Sequence, residues 1–340
     1  MSNQIFQILK ELPTPLCLSQ CVLHKHEILI CGSWDKRACY SYDIIKNEYK
    51  FICDYPSDIT LEGHCVVKLV DNNSKDSSQI TLLSFGGLHK HTLIMRYQLQ
   101  SMVPFKDNHN HPIIIGRNND YYIGVRAVIG GGNNNLLFIT YYEKNISVFD
   151  LNTFQFIKHD TLPDKNYVEY YCLVSNLENR QEMMKTNKEK HKQKYQMLLF
   201  CKDKGLSIEY DEDNNTLQFH QLPVCDEIAP FKYYAYVCIN DVILFFGGFC
   251  YKNNNVVSKS VHKYSIRENK WMTFENTLPS PLYYCVAIFT EEDSHIHIIG
   301  GLDDKKTKLS THMKTKLRIW DVSLLVMICL FIYFDETQIN

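Results

Sequence analysis

The sequence predicts an all-β chain folded as a six-bladed β-propeller of four-stranded antiparallel blades, the last blade closed by the N-terminal strand. Three observations predict it. An apolar strand running into a glycine pair recurs along the chain, its recurrences are almost evenly spaced, and the N-terminus supplies the one strand that the final unit lacks. A strand-only unit of about 50 residues is the period of a propeller blade.

The glycine-ended strand occurs as ITLLSFGG (Gly86, Gly87), VILFFGG (Gly247, Gly248) and HIHIIGG (Gly300, Gly301). A worn copy, EILICG, ends at Gly32, and two copies without glycine lie around Thr140 and Cys201. The gaps between Gly32, Gly87, Thr140, Cys201, Gly248 and Gly301 are 55, 53, 61, 47 and 53 residues. After four of the markers comes an aromatic-bearing strand, a turn rich in Asn, Asp and Lys, and a strand carrying Tyr49, Phe156, Phe219 or Trp271. Asn and Asp tolerate the positive φ of such tight turns. Before each marker lies one more strand with a small residue: Cys21, Cys65, Ala127, Cys172, Cys238 or Cys285. These read as compact fillers where the innermost strands crowd the axis. The blades are expected at 12–56, 57–104, 113–163, 167–223, 231–279 and 281–321, within a propeller domain of 1–321. Residues 4–11 complete the last blade, because IFQILKELPTPL matches KWMTFENTLPSPL of the fifth unit. Closure of this kind removes an exposed sheet edge.

These features together resemble the kelch repeat. The clearest unit, 231–282, holds Gly247, Gly248, Tyr264 and Trp271, and the resemblance extends over residues 5–321. It implies a kelch-type propeller acting as a protein-interaction platform. In that family pattern the glycines permit a turn that a Cβ would obstruct, and the large aromatics fill the wedge between blades.

Composition narrows the function. The 340 residues carry 36 Lys+Arg against 38 Asp+Glu, which excludes a nucleic-acid binder that works by bulk charge. The first residues, MSNQIFQILKELP, have neither a basic n-region nor an apolar h-region, so a cytoplasmic protein is expected. Its 13 cysteines, with no C-x-x-C pair, are then free thiols. There is no phosphate-binding glycine loop, nucleophile elbow or H-E-x-x-H motif. The pairs His89/His91, His109/His111 and His295/His297 specify no third ligand. No metal, cofactor or catalytic residue is therefore expected, and an enzyme is not.

Two segments stand apart from the repeats. Residues 176–196 hold six Lys/Arg and three Glu with little to bury, the composition of a charged, flexible insertion. Residues 322–340 form an apolar tail whose uncharged core, 322–334, would span about 20 Å as a helix, short of a ~30 Å bilayer. The expectation is a tail packed on the propeller or an atypical terminus, with a membrane tether as the alternative.

The loops that follow the glycine markers carry ten Lys/Arg and five Asp/Glu, and the blade-joining loops on the same face offset this with acidic residues. On this mixed face Trp34, Arg37, Tyr141, Tyr142 and Tyr251 are residue types that dominate binding hot spots. The expected function is a monomeric, non-enzymatic scaffold that binds a protein or peptide there. A sugar-directed enzyme working in the axial channel is the second possibility.

Overall fold

The computed structural model describes residues 5–69, 80–117, 119–163, 170–175, 194–251 and 255–320. The tail 322–340 and residues 176–193 of the charged insertion lie outside this set. Residues 194–196 do not belong to an insertion: they open a strand, because Tyr195 is buried and stacks on Phe138 at 4.9 Å.

Six four-stranded antiparallel sheets form the ring. Blade 1 is β2 (Gln20–His24), β3 (Glu27–Cys31), β4 (Ala38–Asp43) and β5 (Glu48–Asp54). Blade 2 is β6 (His64–Leu69), β7 (Thr81–Gly86), β8 (His91–Arg96) and β9 (Ser101–Pro104). Blade 3 is β10 (Arg126–Gly130), β11 (Leu136–Tyr141), β12 (Asn145–Asp150) and β13 (Gln155–Thr161). Blade 4 is β14 (Cys172–Ser175), β15 (Lys194–Cys201), β16 (Lys204–Asp211) and β17 (Thr216–Leu222). Blade 5 is β18 (Ala235–Ile239), β19 (Val242–Phe246), β22 (Val261–Ser265) and β23 (Lys270–Thr273), with a small ribbon of β20 (Phe249–Cys250) and β21 (Val256–Val257) between its middle strands. Blade 6 is β24 (Val286–Thr290), β25 (His295–Ile299) and β26 (His312–Lys316), and its outer strand is β1 (Phe6–Ile8).

The ring closes where the sequence places the closure. Phe6 pairs with Thr315, Gln7 with Lys314 and Ile8 with Met313. Phe6 is buried 5.8 Å from the Trp320 ring, which also packs against Phe246 and Phe274. Among the described residues, each inter-blade interface has its own apolar cluster, including one around Leu12, Leu16, Ile28, Ile30, Tyr42 and Ile299 that joins blade 6 to blade 1.

The glycine pairs do their work between blades. The N–H of Gly87 donates to Tyr122 O, that of Gly248 to Leu282 O and that of Gly301 to Leu16 O, at 3.1, 2.9 and 2.8 Å. Each acceptor lies in the segment leading into the next blade. The preceding glycine makes room for that segment: a Cβ on Gly247 would sit 2.1 Å from Leu282 O, and one on Gly300 2.5 Å from Leu16 O. Blades 1, 3 and 4 lack an intact pair, and there a side chain from the following blade makes the bond. The His64 ring nitrogens lie 2.7 and 3.0 Å from the Leu61 and Cys31 carbonyls, the single N–H of the neutral ring donating to one of them. Tyr171 donates to the Thr140 hydroxyl, and Tyr234 donates to Phe200 O. The three blades with glycine pairs are instead followed by Val125, Cys285 and Ser19 at the same position.

A second device locks the outer hairpins. Tyr42, Tyr210 and Tyr264 donate their hydroxyls to Asn47, Asn215 and Asn269, five residues on, at 2.8, 3.0 and 2.6 Å. Each Asn has φ between +51° and +55°, a conformation Asn accepts more readily than most residues. Across the hairpin Tyr42 faces Tyr49 and Tyr264 faces Trp271, and in blade 3 Phe149 faces Phe156. Blade 4 departs from the expectation: Leu217, not Phe219, lies opposite Tyr210, and Phe219 lies opposite Ile208. Alternation along the strand puts the two on one side, so composition alone could not choose between them.

Candidate functional site

Each blade enters the ring through a residue with positive φ placed just ahead of the axis-lining residues. These are Leu18, Gly63, Gly124, Tyr170, Tyr233 and Tyr284, with φ of 56°, 70°, 70°, 50°, 62° and 56°. Backbone hydrogen bonds run from one to the next: Gly124 N to Gly63 O, Tyr170 N to Gly124 O, Tyr284 N to Tyr233 O and Leu18 N to Tyr284 O. Left-handed conformation costs a tyrosine about 1 kcal/mol, and these inter-blade bonds offset it. The rings of Tyr170, Tyr233 and Tyr284 meet at centroid distances of 4.4 to 5.6 Å.

Inside this girdle is an axial cavity of about 200 Å³. Its wall includes Ser19, Gln20, Cys21, Arg126, Tyr236 and Val286, together with the three girdle tyrosines. Arg126 opens β10, donates from Nη1 to Val125 O at 2.9 Å and lies 5.8 Å from the Tyr170 ring centre. The axis is therefore not lined by small residues alone, as the sequence suggested. The cysteines read as equivalent fillers also occupy different registers: Cys21 is the fourth residue of its blade counted from the girdle, Cys172 the third and Cys285 the second, ahead of its strand. The girdle, which sets the true register, has no common side chain to betray it. Burial pushes the thiols of Cys21, Cys238 and Cys285 up to about 12.

The face carrying the post-glycine loops holds the predicted contact residues, unevenly. Trp34 is 39% exposed and Tyr251 61% exposed. Lys308 Nζ sits 5.4 Å from the Trp34 ring centre while pairing with Asp35 at 2.6 Å. Lys232 Nζ lies between Tyr233 and Tyr251, 4.7 and 4.8 Å from their ring centres. Arg37 donates to Ser57 O at 2.8 Å, on the rim of a groove of about 490 Å³ that includes Trp34, Tyr40 and Thr60. Beneath the two regions the loops of blades 5, 6 and 1 are tied together: Phe249 packs on Tyr283, Tyr283 pairs with Leu302, and Lys308 reaches Trp34.

Tyr141 does not belong to this surface. It ends β11 with 1% exposure, its hydroxyl bonded to Ser147 and Arg117. Tyr142 is half-buried with its ring edge-on to Tyr121. The exposed aromatic here is Tyr121, which the sequence reading passed over; its adjacency to the Arg117–Asp120 ion pair in a blade-joining loop was the available signal.

The histidine pairs are divided among other tasks. His91 bonds Ser84, His297 bonds His312, and His111 turns back onto Asp107. Among the described residues no three His, Cys, Asp or Glu side chains converge as a metal site, and no helix is long and apolar enough to cross a membrane.

No protein-family model and no curated protein matches the chain. Solved structures do, 964 chains in all, so the fold by itself does not single out a function. One, described as "Structure of YjhT", aligns with a TM-score of 0.63 and 13% identity over 90% of this chain and 96% of that chain. The likeness is one of fold.

Proposed function

We propose that this chain is a kelch-type propeller that works as a monomeric, non-enzymatic scaffold in the cytoplasm, docking a protein or peptide on the post-glycine loop face. The observation that carries this is the pair of exposed, cation-flanked aromatics, Trp34 and Tyr251, on the post-glycine loops of blades 1 and 5. Aromatic rings with arginine and lysine beside them supply large contact area at low entropic cost. The kelch assignment rests on the glycine pairs at 86/87, 247/248 and 300/301 with Tyr264 and Trp271.

The test is affinity capture with the full chain and a variant carrying Trp34→Ala, Arg37→Glu and Tyr251→Ala. These side chains lie at the surface, so the thermal midpoint should hold while the captured partner is lost. A variant that retains the same partner at the same yield refutes the docking face.

A further inference from the structure

The axial cavity is built from parts that docking on the rim does not use. Arg126 projects into it from blade 3 and has five N–H donors to place. Its Nη1 donates to Val125 O, and its guanidinium lies over the Tyr170 ring. Among the described residues no carboxylate lines the cavity and none pairs with Arg126. An un-neutralised guanidinium on the wall of a partly buried cavity costs free energy that an anionic ligand would offset. The remaining wall mixes polar and apolar groups, with Gln20, Tyr236, Cys21, Val286 and Ala287 among it.

We propose that this cavity binds a small organic monocarboxylate, its carboxylate held by the Arg126 guanidinium and the rest of the molecule against the tyrosine-rich wall. Charge count favours a monoanion. A single arginine balances one negative charge, whereas a phosphate dianion would leave charge uncompensated in a partly buried site. The planar fork of arginine also matches a carboxylate in two-pronged fashion. At about 200 Å³ the space lies below the usual range for drug-sized ligands, which limits the occupant to a small acid.

The experiment is calorimetric titration of the full chain with acetate, pyruvate, benzoate and, separately, inorganic phosphate. At least one of the three monocarboxylates is expected to bind one-to-one and at least tenfold more tightly than phosphate. Arg126→Gln should weaken that binding at least tenfold, and Arg126→Lys nearly as much. Should these variants fail to fold, the arginine side-chain NMR signals of the wild-type chain give a direct reading: the Nε–H resonance of Arg126 should move on titration. Absence of binding by all three acids, a preference for phosphate, affinity unchanged in Arg126→Gln or an unmoved Arg126 resonance would each overturn the proposal.

Discussion

The hydroxyl of Tyr234, at the threshold of blade 5, donates to the carbonyl of Phe200 in blade 4 at 2.8 Å. It stands where other blades use the N–H of a glycine, and it shows how a repeat that has lost its glycines still holds its neighbour. Removing it leaves a buried carbonyl short of a partner. Tyr234→Phe is therefore expected to cost about 1–3 kcal/mol in chemical unfolding. Gly247→Ala should cost more, because the methyl meets Leu282 O at 2.1 Å in a backbone region that disfavours a side chain. Equal stability of Tyr234→Phe and wild type would show that the bond carries no load.

The hairpin lock separates two roles of asparagine. Asn269 supplies both a positive φ of 55° and the acceptor for Tyr264. Asn269→Gly keeps the backbone freedom and loses only the acceptor, at about 1 kcal/mol. Asn269→Ala loses both and should be the less stable of the two by a further ~1 kcal/mol. Denaturant midpoints in the reverse order would contradict this division.

Much of the architecture is legible because a glycine pair after an apolar run is visible in a linear string. Gly86, Gly87, Gly247, Gly248, Gly300 and Gly301 mark their blades, and the match between IFQILKELPTPL and KWMTFENTLPSPL gives the closure. What the sequence hides is set by the ring itself. Leu18, Gly63, Gly124, Tyr170, Tyr233 and Tyr284 share a backbone conformation and no chemistry. Arg126 escaped notice because its neighbour Ala127 looked like the axial residue. Tyr141 was misplaced because a copy without glycine does not announce where its strand ends, and β11 runs through to it.

Closure by the first strand is testable at single side chains. Phe6 is 3% exposed against Trp320, while Ile8 on the same strand is 58% exposed. Phe6→Ala should destabilise by about 3–5 kcal/mol, as for a buried phenylalanine in a core, and Ile8→Ala by less than about 0.5 kcal/mol. Similar effects at both positions would mean that β1 does not seal blade 6.

Buried histidines make the ring acid-sensitive. Burial lowers His64, His262 and His297 from 6.5 to about 4 and His91 to about 3. The unfolded chain then binds more protons than the folded one below pH 6.5. Stability is full above that value and falls as pH drops towards 4, each histidine adding up to about 1.4 kcal/mol per pH unit to the slope. His297→Gln should flatten the profile between pH 6.5 and 4. An unaltered slope in that variant would remove His297 from the acid response.

The docking face is tested most directly by site-specific photo-crosslinking in cell extract. A photoreactive residue placed at Tyr251 or Trp34 should form a covalent adduct with a discrete partner, while the same residue at Met272, 42% exposed on the outer strand of blade 5, should form none. Adducts at Met272 and silence at Tyr251 and Trp34 would put the partner on the outer rim and contradict the loop-face account.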